Sequence, residues 1–133
     1  MGQKAIQFKG AGLVVNKLIG SGVAPTAVAG TGAGTSPTVT VVGTNVAGTI
    51  TILTGAAPAG TNATIATLTF AAPYDAIPYV GLSPANANAA ALSGATACFS
   101  DATSTTASAF VLKAGATALA AATTYVFTYD ITG

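Results

Sequence analysis

A period-two alternation of apolar and small polar side chains runs through this chain and leaves little room for anything but β-structure. It is clearest near the C-terminus, where Tyr125, Phe127, Tyr129 and Ile131 fall on one face and Val126, Thr128 and Asp130 on the other. Successive strand residues point to opposite sides, so this pattern marks a strand with one face in a core. So large an apolar face predicts a central place in a sheet. The same grammar recurs upstream. Val39 and Val41 alternate with Thr38 and Thr40, Ile50 and Ile52 with Thr49 and Thr51, and Ala66, Leu68 and Phe70 with Thr67 and Thr69. Tyr79 to Ser83, Ala95 to Ser100 and Ser108 to Lys113 read as further short strands. Threonine suits the outer positions because β-branched side chains fit a pleated, half-buried surface.

Glycine and proline punctuate these runs. Residues 23–37 carry Pro25, Gly30, Gly32, Gly34 and Pro37, a density of breakers that predicts a linker with no regular element. A phosphate cradle at Gly30, Gly32 and Gly34 lacks the following lysine and the strand–turn–helix frame it requires. Residues 85–92 are alanine-rich, which favours helix, but Asn86 and Asn88 argue for a loop or an edge strand. Residues 115–122 read as a loop with Leu119 tucked inward. The N-terminal segment is different. Ile6 and Phe8 oppose Gln7 and Lys9 in a short strand pattern, and an apolar run from Leu13 to Ile19, bracketed by glycines, reads as extended. The expected organisation is an N-terminal arm (1–22), a Gly/Pro-rich linker (23–37) and an all-β domain (38–133). About eight strands with turn signals every 8–12 residues indicate an antiparallel β-sandwich or jelly-roll-like domain with an extended arm.

Charge decides much of the rest. Only 5% of residues are charged, and Arg, Glu, His and Trp are absent. Soluble domains ordinarily carry about 25%, so a surface built of Thr, Ser, Asn, Gly and Ala fits a protein embedded in an assembly. The net charge of +1 gives no strong pull on nucleic acid or on an acidic membrane surface. Lys4, Lys9 and Lys17 lie in the arm, whereas the body sets Lys113 against Asp75, Asp101 and Asp130. No run approaches the ~20 apolar residues that cross a bilayer as a helix. The start lacks the apolar stretch of a secretory signal, and Ile6 stands where a myristoylation motif needs Ser or Thr. Asn62-Ala63-Thr64 matches a glycosylation sequon, which without a secretory signal reads as coincidence. Partners are therefore expected to be neither nucleic acid nor membrane.

Catalytic chemistry finds few residues to work with. Cys98 has no histidine to activate it and reads as a small buried hydrophobe. A Ser-His-Asp triad cannot be assembled. Three aspartates are the available carboxylates, and their sequence contexts read as turn and surface positions, although a pair flanking a glycosidic bond stays open. No cofactor is expected, and no metal site is expected without His, Glu or clustered Cys; a calcium site of Asp and loop carbonyls stays open. No catalytic residue is assigned.

The stretches Ala29 to Pro37, Ala47 to Thr51, Val80 to Ala87, Phe110 to Gly115 and Thr123 to Tyr129 together resemble a module of bacteriophage virion proteins, found in tail fibres and capsid-surface proteins. The likeness spans residues 24–131 and is one of order and composition. It implies a β-sandwich and a structural or receptor-contacting role, with no catalytic residues. A module preceded by only a short arm looks more like a capsid decoration or cement protein, a homotrimer by analogy, with the major capsid protein as its partner and the virion surface as its place. In that reading Lys4, Ile6, Phe8, Lys9 and Lys17 form a capsid-contact arm. The alternative is a tail-associated adhesin that binds host glycan through Tyr74, Tyr79, Asn86 and Asn88, since sugars stack on aromatic rings and hydrogen-bond to amides.

Overall fold

The computed structural model describes residues 22–133. Its strands are β1 (Thr26–Ala29), β2 (Thr38–Gly43), β3 (Ala47–Leu53), β4 (Thr64–Thr69), β5 (Tyr79–Pro84), β6 (Phe99–Ser100), β7 (Ala109–Lys113) and β8 (Thr124–Thr132), with one single-turn helix, α1 (Ala87–Ala90). They form two four-stranded sheets, ordered β1-β4-β7-β6 and β2-β3-β8-β5. Every neighbouring pair is antiparallel. The protein is an antiparallel β-sandwich. Among the described residues no helix is long and apolar enough to cross a membrane.

β8 is central, as its sequence requires. It lies between β3 and β5, with Phe127 opposite Ile50 on one side and Pro84 on the other. Tyr125, Phe127, Tyr129 and Ile131 are all buried, and the intervening residues face outward. Ile50 and Ile52 extend this inner face, and Leu68, Phe110 and Leu112 meet it from the opposite sheet. Phe110 joins the layers, with its ring 5.8 Å from that of Tyr129 and 5.6 Å from that of Phe70. These are favourable separations for offset aromatic pairs.

Three expectations need correcting. Residues 23–37 are not a structureless linker. β1 pairs with β4 from Thr26↔Thr69 to Ala29↔Ala66, and Thr31–Ala33 form a 3-10 turn. The glycines there allow close approach of two backbone segments. Gly30 donates its N–H to the Ile65 carbonyl (2.8 Å), and a Cβ on it would collide with the Thr64 carbonyl oxygen. A Cβ on Gly32 would stand 2.8 Å from the Ala63 carbonyl oxygen. Residues 85–92 do hold a helical turn, because the Asn86 side chain caps it by accepting from the Ala89 N–H (2.9 Å). The strand expected from Ala95 shrinks to Phe99–Ser100. A 3-10 turn at Gly94–Thr96 displaces it, closed by the Thr96 hydroxyl bonding both the Ser93 N–H and its carbonyl. The strand expected at residues 5–9 and the extended run at 13–19 lie outside the described residues.

Truncating the ring that joins the sheets should be costly. Phe110→Ala is expected to lower stability by about 3–5 kcal/mol in urea unfolding. Gly32→Val, which adds atoms where backbone already sits, should cost about 1–3 kcal/mol.

Candidate functional site

One end of the sandwich gathers the turn at residues 44–46, the loops at 71–78 and 101–108, and the C-terminal residues. Backbone bonds hold it together: the Tyr74 N–H donates to the Ala107 carbonyl (2.9 Å) and the Ile131 N–H to the Val46 carbonyl (2.8 Å). At this end a cleft of about 330 Å³ opens in the seam between β5 and β6, the facing edges of the two sheets. Ile77, Pro78, Tyr79 and Val80 form one wall, and Ser100, Ala102 and Thr105 the other. Ile77 is 63% exposed and Tyr79 81% exposed, so two large apolar side chains stand open at its rim.

Asp101 builds the second wall. Its carboxylate pairs with the Lys113 ammonium at 2.7 Å and accepts from the Ser104 hydroxyl (2.6 Å), the Thr103 hydroxyl (2.7 Å) and the Thr103 N–H (3.0 Å). The Thr105 hydroxyl donates to the Asp101 carbonyl (2.9 Å). The bond from Lys113, then those from Ser104 and Thr103, hold the Asp101 carboxyl well below the usual carboxylate range. This is a self-capping turn, with every charge and hydroxyl bound locally. Asp130 lies on the outer face of the second sheet, opposite Gly81 of β5, and its carboxylate occupies the space a Gly81 side chain would need. Asp75 is exposed in the loop that leads into the cleft wall.

The four residues expected to contact glycan do not form one site. The Tyr74 hydroxyl donates to the Asn45 carbonyl (2.9 Å), and its ring stands edge-on to Phe70 at 4.9 Å. Burial pushes its pKa up. Asn86 and Asn88 both donate to the Thr124 carbonyl, at 3.0 and 2.9 Å, and the Asn86 oxygen accepts from the Ala89 and Val126 N–H groups. They bind α1 to β8 at the far end of β5, one strand length of ~20 Å from Tyr79 at about 3.4 Å per residue. Tyr79 and Asn88 are the exposed ones of the four, and the Asn88 amide is already bonded to the backbone of β8. Lys4, Ile6, Phe8, Lys9 and Lys17 lie outside the described residues. Sequence reasoning missed Ile77, Ser100, Ala102 and Thr105. Ile77, a large aliphatic beside a proline in a loop, is the one that carried a sequence signal.

Cys98 is half-buried against the core, beside Leu82, Leu92 and Phe127 at the other end of the seam, and outside any strand. Burial pushes its thiol up to about 11.

The outer face of the second sheet is a different kind of surface. Val42, Thr49, Thr128 and Ser83 align across all four strands, and Thr40, Thr51 and Val126, then Thr38, Leu53 and Thr124, align across β2, β3 and β8. Asp130 is its one charged residue among those described. No family model matches this chain, and no curated protein or solved structure matches it.

Two measurements follow from these environments. Asp101 contributes stability that is present above the ordinary carboxylate pKa of about 3.9 and is lost as pH falls below it. The melting temperature should therefore drop between about pH 5 and pH 2, and Asp101→Asn should flatten that limb while lowering stability at neutral pH. At pH 8 Cys98 should react with iodoacetamide about a hundredfold more slowly than an ordinary thiol, following its smaller thiolate fraction.

Proposed function

We propose that this protein is a structural component of a bacteriophage virion, a decoration protein that lies on the outer surface of the head and reinforces contacts between capsomers. The observation that carries this reading is the outer face of the β2-β3-β8-β5 sheet. An ordered surface of Thr, Val and Leu with a single carboxylate suits contact with another protein, because short hydroxyl side chains lose little entropy when covered and few charges must be desolvated. Val42 is 74% and Leu53 44% exposed on that face, which gives it apolar contact points within a hydroxyl-rich frame. The major capsid protein is the partner in this reading, and a homotrimer the assembly. The virion assignment itself comes from the family resemblance of residues 24–131.

A second reading, a tail-associated adhesin for host glycan, is favoured by one observation. Tyr79 offers an open aromatic ring at the rim of a cleft that also carries the Ser100 and Thr105 hydroxyls. Binding of the purified protein on a glycan array, abolished by Tyr79→Ser, would support the adhesin.

Electron microscopy of particles carrying the protein distinguishes the two. Many copies spread over the head are expected; a few copies confined to the tail would sink the decoration reading. Thr49→Glu with Thr128→Glu should reduce incorporation at least about tenfold, because burying unpaired carboxylates costs more than the 1.4 kcal/mol that a factor of ten represents. The two positions face each other across β3 and β8, so like-charge repulsion should lower the melting temperature of this variant somewhat, and incorporation is compared at a temperature where both proteins remain folded.

A further inference from the structure

The second sheet has two edge strands, β2 and β5, of six residues each. β2 has β1, four residues long, alongside it. β5 faces β6, which has two residues. Most of the β5 edge is therefore uncovered among the described residues. An open strand edge invites pairing with another strand unless lysines or a bulge block it. β5 has neither. Its sequence, Tyr79 to Pro84, is uncharged, and its register with β8 is unbroken.

The direction of its backbone groups follows from β8. The Ile131 N–H donates to the Val46 carbonyl (2.8 Å) and the Ala85 N–H to the Val126 carbonyl (2.7 Å). Antiparallel bonding alternates along a strand, so odd-numbered residues of β8 bond β3 and even-numbered ones bond β5. Gly81 and Ser83 thus bond Asp130 and Thr128. The N–H and C=O groups of Val80 and Leu82 then point to the open edge. Their side chains turn inward, opposite Ile131 and Tyr129, and pack on the core.

Two antiparallel copies of this edge complete one another when Gly81 sits on the twofold axis. Val80 and the partner's Leu82 then exchange both of their backbone bonds, and so do Leu82 and the partner's Val80. Gly81 meets the partner's Gly81 where opposing residues come closest, at about 4.5 Å between Cα atoms. Pro78 falls opposite the partner's Pro84, and neither has an N–H, so pairing stops there at both ends. On the outer face the ring of Tyr79, 81% exposed, lands opposite the partner's Ser83 and diagonal to the partner's Gly81. Continuing the same register brings the exposed Ile77 opposite the partner's Ala85. Beside that position the seam holds a second cavity, of about 110 Å³, lined by Leu82, Pro84, Ala89 and Leu92 among others. A protruding apolar side chain meets an apolar recess, once at each end of the pair. The Asp130 carboxylate lies over Gly81 on the exposed outer face, where it keeps its water.

We propose that β5 pairs with β5 of a second copy about a twofold axis through Gly81, joining the two β2-β3-β8-β5 sheets into one continuous sheet. Both outer faces then lie on the same side of the pair. The inference stands apart from the virion reading, and a twofold contact is additional to any threefold one, so it can link trimers. A contact this short is weak in free solution, with association expected between ~10 µM and ~1 mM, and it strengthens where copies are held close together.

Sedimentation and hydrogen exchange of the full-length protein test it. The mass should double across that concentration range. The amides of Val80 and Leu82 should exchange at least about tenfold more slowly at its top than at its bottom, while those of Gly81 and Ser83, already bonded to β8, stay equally protected. Tyr79→Lys/Ser83→Lys sets like charges opposite one another across the axis and should weaken association at least about tenfold. Tyr79→Lys/Ser83→Glu sets opposite charges at the same positions and should recover the loss. Both side chains are exposed, so the amides of Ile50 and Phe127 should exchange alike in parent and variants. A parent that stays monomeric up to ~1 mM would overturn the proposal. Equal association of the two charge variants would overturn it too. So would protection of Val80 and Leu82 that is independent of concentration, which would assign the edge to a segment of the same chain. A threefold assembly that neither variant alters would overturn it while leaving the decoration reading intact.

Discussion

Burial of one strand face governs this molecule. Tyr125, Phe127, Tyr129 and Ile131 are large, and a strand that carries them needs a sheet on both sides and a second layer above. β3 and β5 supply the sides, and the β4-β7 centre of the other sheet supplies the layer through Leu68, Phe110 and Leu112. The tyrosines extend this control to the loops. The Tyr129 hydroxyl donates to the Thr44 carbonyl at one end of the sandwich, and the Tyr125 hydroxyl accepts from the Ala120 N–H at the other. One strand thus positions both ends, including the end that carries the cleft.

Scarcity of charge sets the second constraint. Loops here are held by short polar side chains bonding backbone groups, not by ion pairs. Thr54 is buried and donates to the Ala120 carbonyl (2.7 Å) while accepting from the Thr123 N–H (2.9 Å). Asn45 spans to the 71–78 loop through both its amide nitrogen and its oxygen. Among the described residues no buried side-chain nitrogen or oxygen lacks a partner. Such bonds stabilise modestly when made and cost more when broken, so they specify loop positions without leaving charge on the surface. The outer sheet face carries a single carboxylate as a result, and that low charge supports the reading of a protein covered by a larger assembly.

The one ion pair among the described residues, between Asp101 and Lys113, marks the exception, and it stands beside the cleft. Its role is local, since it anchors a turn whose wall residues would otherwise drift. Asp75 is exposed in the loop before β5, and Asp130 lies on the outer face against Gly81. The distribution of the few charges is thus more informative than their sum, because at such low density each one dominates its neighbourhood.

What the sequence determined by itself was local. Strand alternation at Tyr125–Ile131, Ile50–Ile52 and Phe110–Leu112 is dictated by which side chains must leave water, and those faces lie where the pattern puts them. The central place of β8 was legible for the same reason. Tertiary structure decided what depends on partners distant in the chain. Gly30 and Gly32 look like part of a linker in one dimension and become a close crossing only once β4 lies beneath them. Asn86 reads as a breaker until its oxygen finds the Ala89 and Val126 N–H groups. Tyr74 and Tyr79 look equivalent in sequence, yet the loop turns one into the core and leaves the other in solvent. The cleft exists because edges of two different sheets meet at a seam. Side-chain periodicity carries the direction of a residue from its own strand but says nothing of which strand lies alongside, and only long-range pairing supplies that.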